Sequence, residues 1–148
     1  ESLMLVVLSS TCLLVLLAVG VHYNALTLMS AFLRQRKVHV RRWVAVSILG
    51  MLLAHVVEVM IFAAGYAVLE STNRYGALIG ATNDHWSDYW YFSFVVYTSL
   101  GFGDITPTSS LRMMTALETL SGLILIAWSA SFLFMQMQRF WDRDSTQK

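Results

Sequence analysis

Trp86-Ser87-Asp88-Tyr89-Trp90-Tyr91-Phe92-Ser93-Phe94-Val95-Val96-Tyr97, followed at once by Thr98-Ser99-Leu100-Gly101-Phe102-Gly103-Asp104-Ile105-Thr106-Pro107, is the stretch on which the fold turns. Its first part is too apolar for a plain loop. As a helix it would be only about 18 Å long, enough to reach the middle of a hydrocarbon layer roughly 30 Å thick and not enough to cross it. Asn83 or Asp84 ahead of it can cap the helix start, and Asp88 suits the positive first turn. The chain must then return through residues 98–107. Non-helical backbone at that depth is tolerated only where protein buries it or where it lines a watery path. The stretch therefore reads as a re-entrant helix and a returning strand whose carbonyls are free for something other than a helix.

The flanks agree. The chain has 148 residues, 57% hydrophobic and 13% charged, against roughly a quarter charged in a soluble domain. That composition argues against a soluble enzyme, a disordered chain or a nucleic-acid binder, and a net charge of +1 does not point to a polyanion partner. Cys12 is the single cysteine, so neither an internal disulfide nor a cysteine-based metal site can form; it reads as a small packing residue. Ser2 to Leu33 carries no formal charge, Trp43 to Leu69 only Glu58, and Met113 to Gln138 only Glu118. Each is long enough to cross a bilayer. Spanning helices are expected near residues 4–32, 43–69 and 111–138.

Orientation follows from the basic residues. Arg34, Arg36, Lys37, Arg41 and Arg42 crowd the first linker, and Arg139, Arg143 and Lys148 follow the last helix. The positive-inside rule puts both regions in the cytoplasm of a plasma-membrane protein, with the N-terminus outside. The linker arginines and Lys37 could meet anionic lipid headgroups. The segment 70–110 then lies outside, where Glu70, Asp84, Asp88 and Asp104 give an acidic mouth. Three units result: a first helix and basic linker over 1–42, a central region over 43–138, and a short tail over 139–148.

Thr98 to Asp104 resembles the selectivity-filter signature of tetrameric potassium channels, most often Thr-Val-Gly-Tyr-Gly-Asp. Ser99 stands for the inner threonine, Leu100 for the valine and Phe102 for the tyrosine. The likeness runs from about Trp43 to Gln138, takes in Pro107, Arg112 and Gly122, and is nearest to small bacterial three-helix proteins of the potassium-channel family. It implies an all-α integral membrane protein: outer helix 43–69, pore helix 86–97, filter 98–104 and inner helix 111–138, closed as a homotetrameric pore. The implied activity is passive potassium conduction, with no enzyme chemistry and no cofactor beyond potassium ions in the filter. A poorly selective monovalent cation channel, a non-conducting assembly and a proton-coupled device are the alternatives.

The residue types suit cation coordination. Stacked rings of backbone carbonyls can replace an ion's hydration shell when four copies meet. Facing them along one axis requires alternating backbone handedness, and Gly101 and Gly103 tolerate positive φ. Leu100 and Phe102 side chains are expected to turn away and pack on Tyr91, Phe92, Phe94 and Val95. In many relatives a pore-helix tryptophan bonds the filter tyrosine; Phe92 and Phe102 stand there, so that strut is missing. Val95 replaces a glutamate seen in some bacterial channels. Tyr91, thirteen residues before Asp104, can donate its hydroxyl to that carboxylate. By the same resemblance Gly122 is the inner-helix glycine, and Leu123, Ile126, Ala127, Ala130 and Phe134 line the cavity, with Phe134 a dewetting constriction.

His22, His55, Glu58 and Glu118 interrupt the apolar helices and need partners. Counting from the helix ends puts His22 and His55 at similar depth, with Glu58 one turn from His55. They are expected to form a buried brace or a proton sensor, and Glu118 to accept hydrogen bonds behind the pore helix. No pair shows zinc-motif spacing, so no transition-metal site is expected.

Overall fold

A helix in hydrocarbon satisfies its own backbone, so long apolar stretches without proline settle as continuous helices. The computed structural model describes residues 2–34, 40–80 and 86–146. It contains α1 (Ser2–Arg34), α2 (Val40–Ser71), β1 (Leu78–Ile79), α3 (Trp86–Tyr97), β2 (Thr106–Pro107) and α4 (Leu111–Thr146). The helices α1, α2 and α4 are each long and apolar enough to cross a membrane. The protein is an all-α, multi-pass membrane protein. Helix α4 continues to Thr146 rather than ending near 138, because no glycine or proline follows Gly122 to stop it. The caps expected from Asn83 or Asp84, and Arg36, Lys37 and Lys148, lie outside the described residues, as do the side chains of Arg34, Arg41 and Arg143.

Helix α1 buries one narrow seam, Val7, Thr11, Ala18, His22 and Leu26, against α2 and α4. Steps of four and seven residues place these on a single stripe. Leu14 and Val15 beside it are half-buried against the central core; Cys12 is exposed and not in the packing seam. Helix α3 is enclosed differently. Phe92, Val96 and Tyr97 join Val59, Phe62, Tyr66 and Leu69 of α2 and Leu111, Met114 and Leu125 of α4 in the central core. Lipid is as apolar as leucine, so this core is held by close packing and internal hydrogen bonds more than by expulsion of water.

Two further ties bring the segment after α2 to the segment before α4. β1 and β2 pair antiparallel, Leu78 opposite Pro107 and Ile79 opposite Thr106. Around them Thr108 N–H donates to Ala77 O (3.0 Å), Ser110 N–H to Tyr75 O (3.1 Å) and Ala77 N–H to Thr108 Oγ1 (2.8 Å). Glu70 turns its carboxylate onto the Leu78 N–H at 3.0 Å. It is therefore engaged in this clasp rather than standing free in an acidic mouth, and Asp84 lies outside the described residues.

Gly122 marks the closest approach of α4 to α3. A Cβ built there would collide with the carbonyl oxygen of Tyr97, whereas one at Gly20 meets nothing within 4 Å. A methyl group at 122 must therefore push two backbones apart, which typically costs about 1–3 kcal/mol. We expect Gly122→Ala to lower the thermal midpoint followed by fluorescence-detected size exclusion, while Gly20→Ala leaves it unchanged or raised.

Candidate functional site

The residues after α3 do not continue the helix, and the hydrogen bonds at its end show how it stops. Thr98 N–H donates to Phe94 O (3.1 Å) and Ser99 N–H to Val96 O (2.9 Å). Both Leu100 N–H (2.9 Å) and Gly101 N–H (3.4 Å) then return to Val95 O. The Thr98 hydroxyl closes on Phe94 O at 2.7 Å. Beyond this knot φ is +57° at Ser99, +59° at Gly101 and +79° at Gly103. Every second residue is thus left-handed, and the peptide planes flip along the strand. The space beside Gly101 and Gly103 is open, so glycine is required there by backbone conformation and not by crowding. Ser99 reaches the same region with a side chain, an uncommon conformation outside glycine.

Among the described residues no backbone N–H donates to a carbonyl of residues 98–103. Their side chains are equally unclothed: Leu100 is 58% and Phe102 65% exposed, and Thr98, Ser99 and Asp104 are exposed too. Leu100 and Phe102, expected to pack on Tyr91, Phe92, Phe94 and Val95, keep more than half of their surface uncovered within one chain. Phe92 and Val95 are buried, and Phe92 is committed edge-on to Tyr66, with ring centroids 5.0 Å apart.

Both ends of this segment are fastened. At its far end the Tyr91 hydroxyl donates to Asp104 Oδ2 at 2.7 Å. At its near end Tyr97 is buried and its hydroxyl donates to the Glu58 carboxylate. His22 Nδ1 and His55 Nδ1 each lie 2.9 Å from an oxygen of the same Glu58 carboxylate, so the three residues expected to cluster are together. His55 Nε2 lies 3.0 Å from Ser129 Oγ on α4. Behind α3, Glu118 is fully buried and accepts from Tyr66 (2.6 Å) and Ser93 (2.5 Å). The Ser93 hydroxyl is also 2.9 Å from Val59 O.

Tyr97, Ser93 and Tyr66 were not singled out from sequence as partners of these carboxylates. Two carboxylates inside apolar helices require donors, and the buried side of α3 presents hydroxyls at Ser93 and Tyr97, one helical turn apart. That spacing was the available signal.

On α4, Leu123, Ile126, Ala127, Ala130 and Phe134 form an exposed stripe. Gly122 is not in it; with Ser121, Leu125 and Ser129 it belongs to the buried side, against Tyr97. The small size of this inner-helix glycine serves the packing of α4 against α3.

The Tyr91 hydroxyl holds the Asp104 carboxyl below the usual carboxylate range. A lowered folded value means that this tie is fully present above the ordinary carboxylate pKa and is lost as pH falls through the lowered one. We expect Tyr91→Phe to raise the Asp104 titration back toward that of an ordinary aspartate, read from the carboxyl carbon resonance in labelled protein and assigned with Asp104→Asn.

Comparison with known proteins agrees with this geometry. Over 81 residues the chain is 31% identical to the uncharacterized membrane protein YdjJ of Bacillus subtilis (strain 168). That alignment takes in 53% of this chain and 24% of the relative, so the chain spans about a quarter of the length of the curated protein it matches. No solved structure matches. A family model described as an ion channel matches residues 54–139, from the middle of α2 through α3 and the 98–104 segment into α4. With more than half of its length under that model, the protein belongs to this ion-channel family.

Proposed function

We propose that four copies of this chain close around a common axis and form a passive, potassium-selective channel, with residues 98–104 as the selectivity filter. The observation that carries the reading is the alternation of positive φ at Ser99, Gly101 and Gly103 on a strand whose carbonyls receive no backbone N–H among the described residues. Unpaired carbonyls at membrane depth cost several kcal/mol each, roughly, unless an ion, water or donor meets them. Fourfold closure answers that cost with stacked oxygen rings: the Ser99 hydroxyl and carbonyl innermost, then the carbonyls of Leu100, Gly101 and Phe102. The same closure covers Leu100 and Phe102 with a neighbouring copy.

The α4 stripe Leu123, Ile126, Ala127 and Ala130 then lines a cavity below the filter, and Phe134 narrows its inner end. In this arrangement the basic α1–α2 connection and the end of α4 lie in the cytoplasm, the start of α1 outside, and Arg42 and its neighbours meet anionic lipid. A less selective monovalent cation pore is the second reading. It is favoured by Phe92 and Phe102, which remove the usual strut and leave the outer mouth to the Tyr91–Asp104 tie.

Ion flux into liposomes, with purified protein under potassium, sodium or N-methylglucamine gradients, tests both readings. We expect potassium flux well above sodium, none for N-methylglucamine, a tetramer by native mass spectrometry, and loss of flux in Gly101→Ala with the tetramer retained. Equal potassium and sodium flux would select the second reading. A monomer without flux would remove both.

A further inference from the structure

The His22–His55–Glu58 cluster is more than a set of polar residues that have found one another. His22 comes from α1, His55 and Glu58 from adjacent turns of α2, and Tyr97 from the end of α3. His22 and Glu58 are fully buried, and the His55 side chain is 17% exposed. One ligand atom from each of the three lies within 4.8 Å of the others, and the Tyr97 hydroxyl is 3.0 Å from His55 Nδ1. Two imidazole nitrogens, a carboxylate and a phenol oxygen make a donor set suited to a borderline divalent transition ion.

The hydrogens decide whether these atoms are ligands or merely mutual partners. Ser129 Oγ is 3.0 Å from His55 Nε2 and 3.5 Å from Met51 Sδ. A serine has one proton. If His55 carries its proton on Nε2, it donates to Ser129, which then donates to Met51, and both contacts are used. That tautomer turns the bare Nδ1 lone pair toward Glu58. On His22 the Nε2 atom is buried without a hydrogen-bond partner, and the ring packs on Trp128 with centroids 5.2 Å apart. Without an ion, a proton on His22 Nδ1 donates to Glu58 and leaves Nε2 a bare buried acceptor. With a cation in the cluster the proton moves to Nε2, against the weakly accepting Trp128 ring, and the Nδ1 lone pair, 2.9 Å from the carboxylate, becomes a ligand. Metal-ligating histidines characteristically spend their second N–H on an outer partner, as His55 does on Ser129.

We propose that His22, His55 and Glu58 bind a divalent transition ion of the zinc class, with Tyr97 at its edge. The spacing-based expectation of no such site looked for ligands close together in one segment; these come from separate helices. Such an ion would tie the first helix to the residue immediately before Thr98, and so to the base of the 98–104 segment. The site is defined by its own ligands and does not depend on conduction.

The test uses the full chain purified without a histidine tag in detergent and titrated with cobalt(II), whose visible bands report low-coordinate nitrogen and oxygen ligation. We expect saturable bands, displacement by zinc(II), and loss of the bands in His22→Ala and His55→Ala. His39→Ala and His85→Ala, the chain's other two histidines, should retain them. Ser129→Ala, which removes only the outer partner, should weaken binding roughly 10–100-fold at an unchanged elution volume, which guards against variants that lose the signal by misfolding. No saturable bands, or bands that survive both ligand substitutions, would overturn the site. The protons would then sit on Nδ1 and the cluster would be a hydrogen-bonded brace alone.

Discussion

A helix that stops halfway through hydrocarbon is the constraint around which this protein is built. Helices α1, α2 and α4 can each satisfy their backbones unaided, but α3 ends at Tyr97 with a non-helical strand beyond it. Something must hold that end at a fixed depth. Two buried carboxylates do so from opposite sides, Glu58 on α2 taking the Tyr97 hydroxyl and Glu118 on α4 taking that of Ser93. Hydrogen bonds between membrane helices average only about 0.6 kcal/mol each, so the end of α3 is fixed by several of them together. The acceptors sit on the two long helices and the donors on α3. Gly122 completes the fastening by letting the α4 backbone lie against the Tyr97 carbonyl.

The reach of sequence reasoning follows from what is local. Helix α3 occupies the span expected of it, Trp86–Tyr97, since an apolar run bounded by polar residues and then by the glycine pair at 101 and 103 leaves little choice. The Tyr91–Asp104 contact was also legible, because thirteen residues separate a donor at the outer part of α3 from a carboxylate after the returning strand. The left-handed Ser99 was not. Serine carries no conformational mark of its own, and its φ is imposed by the need to continue the alternation inward from Gly101. The β1–β2 pairing is two residues long, too short for any period to show. The partners of Glu58 and Glu118 were invisible for a different reason. A carboxylate announces that it needs donors, but which of several hydroxyls on α3 supplies them depends on helix rotation, which sequence periodicity leaves open when nearly every position is apolar.

One chain leaves two of its surfaces unfinished. Residues 98–104 present bare carbonyls and large apolar side chains, and the α4 stripe from Leu123 to Phe134 is equally open. Exposed leucine is ordinary on a lipid-facing helix and explains nothing there. Exposed backbone is not ordinary, because lipid cannot hydrogen-bond it. The two kinds of exposure thus carry different weight: the stripe is compatible with lipid, a cavity or a neighbour, while the 98–104 strand requires polar company. In the proposed channel a closed ring of identical copies supplies it, since cyclic symmetry brings the same strand to the same axis from every side.

The first helix is then best understood through what it touches. It buries a single stripe, and the polar members of that stripe are Thr11, which bonds its own helix at Val7 O (2.7 Å), and His22, which does not. His22 reaches Glu58 on α2, and Glu58 holds Tyr97, so α1 lies two polar contacts from the residue that precedes the strand. Removing α1 would leave one oxygen of a buried carboxylate without its partner at the place where α3 is pinned, a defect that lipid cannot repair. A helix added only for membrane anchoring would need no such residue on its inner seam; alanine would pack as well at no desolvation cost. The presence of an imidazole there makes α1 part of the support of the 98–104 strand, whether the atom between His22 and Glu58 is a proton or a metal.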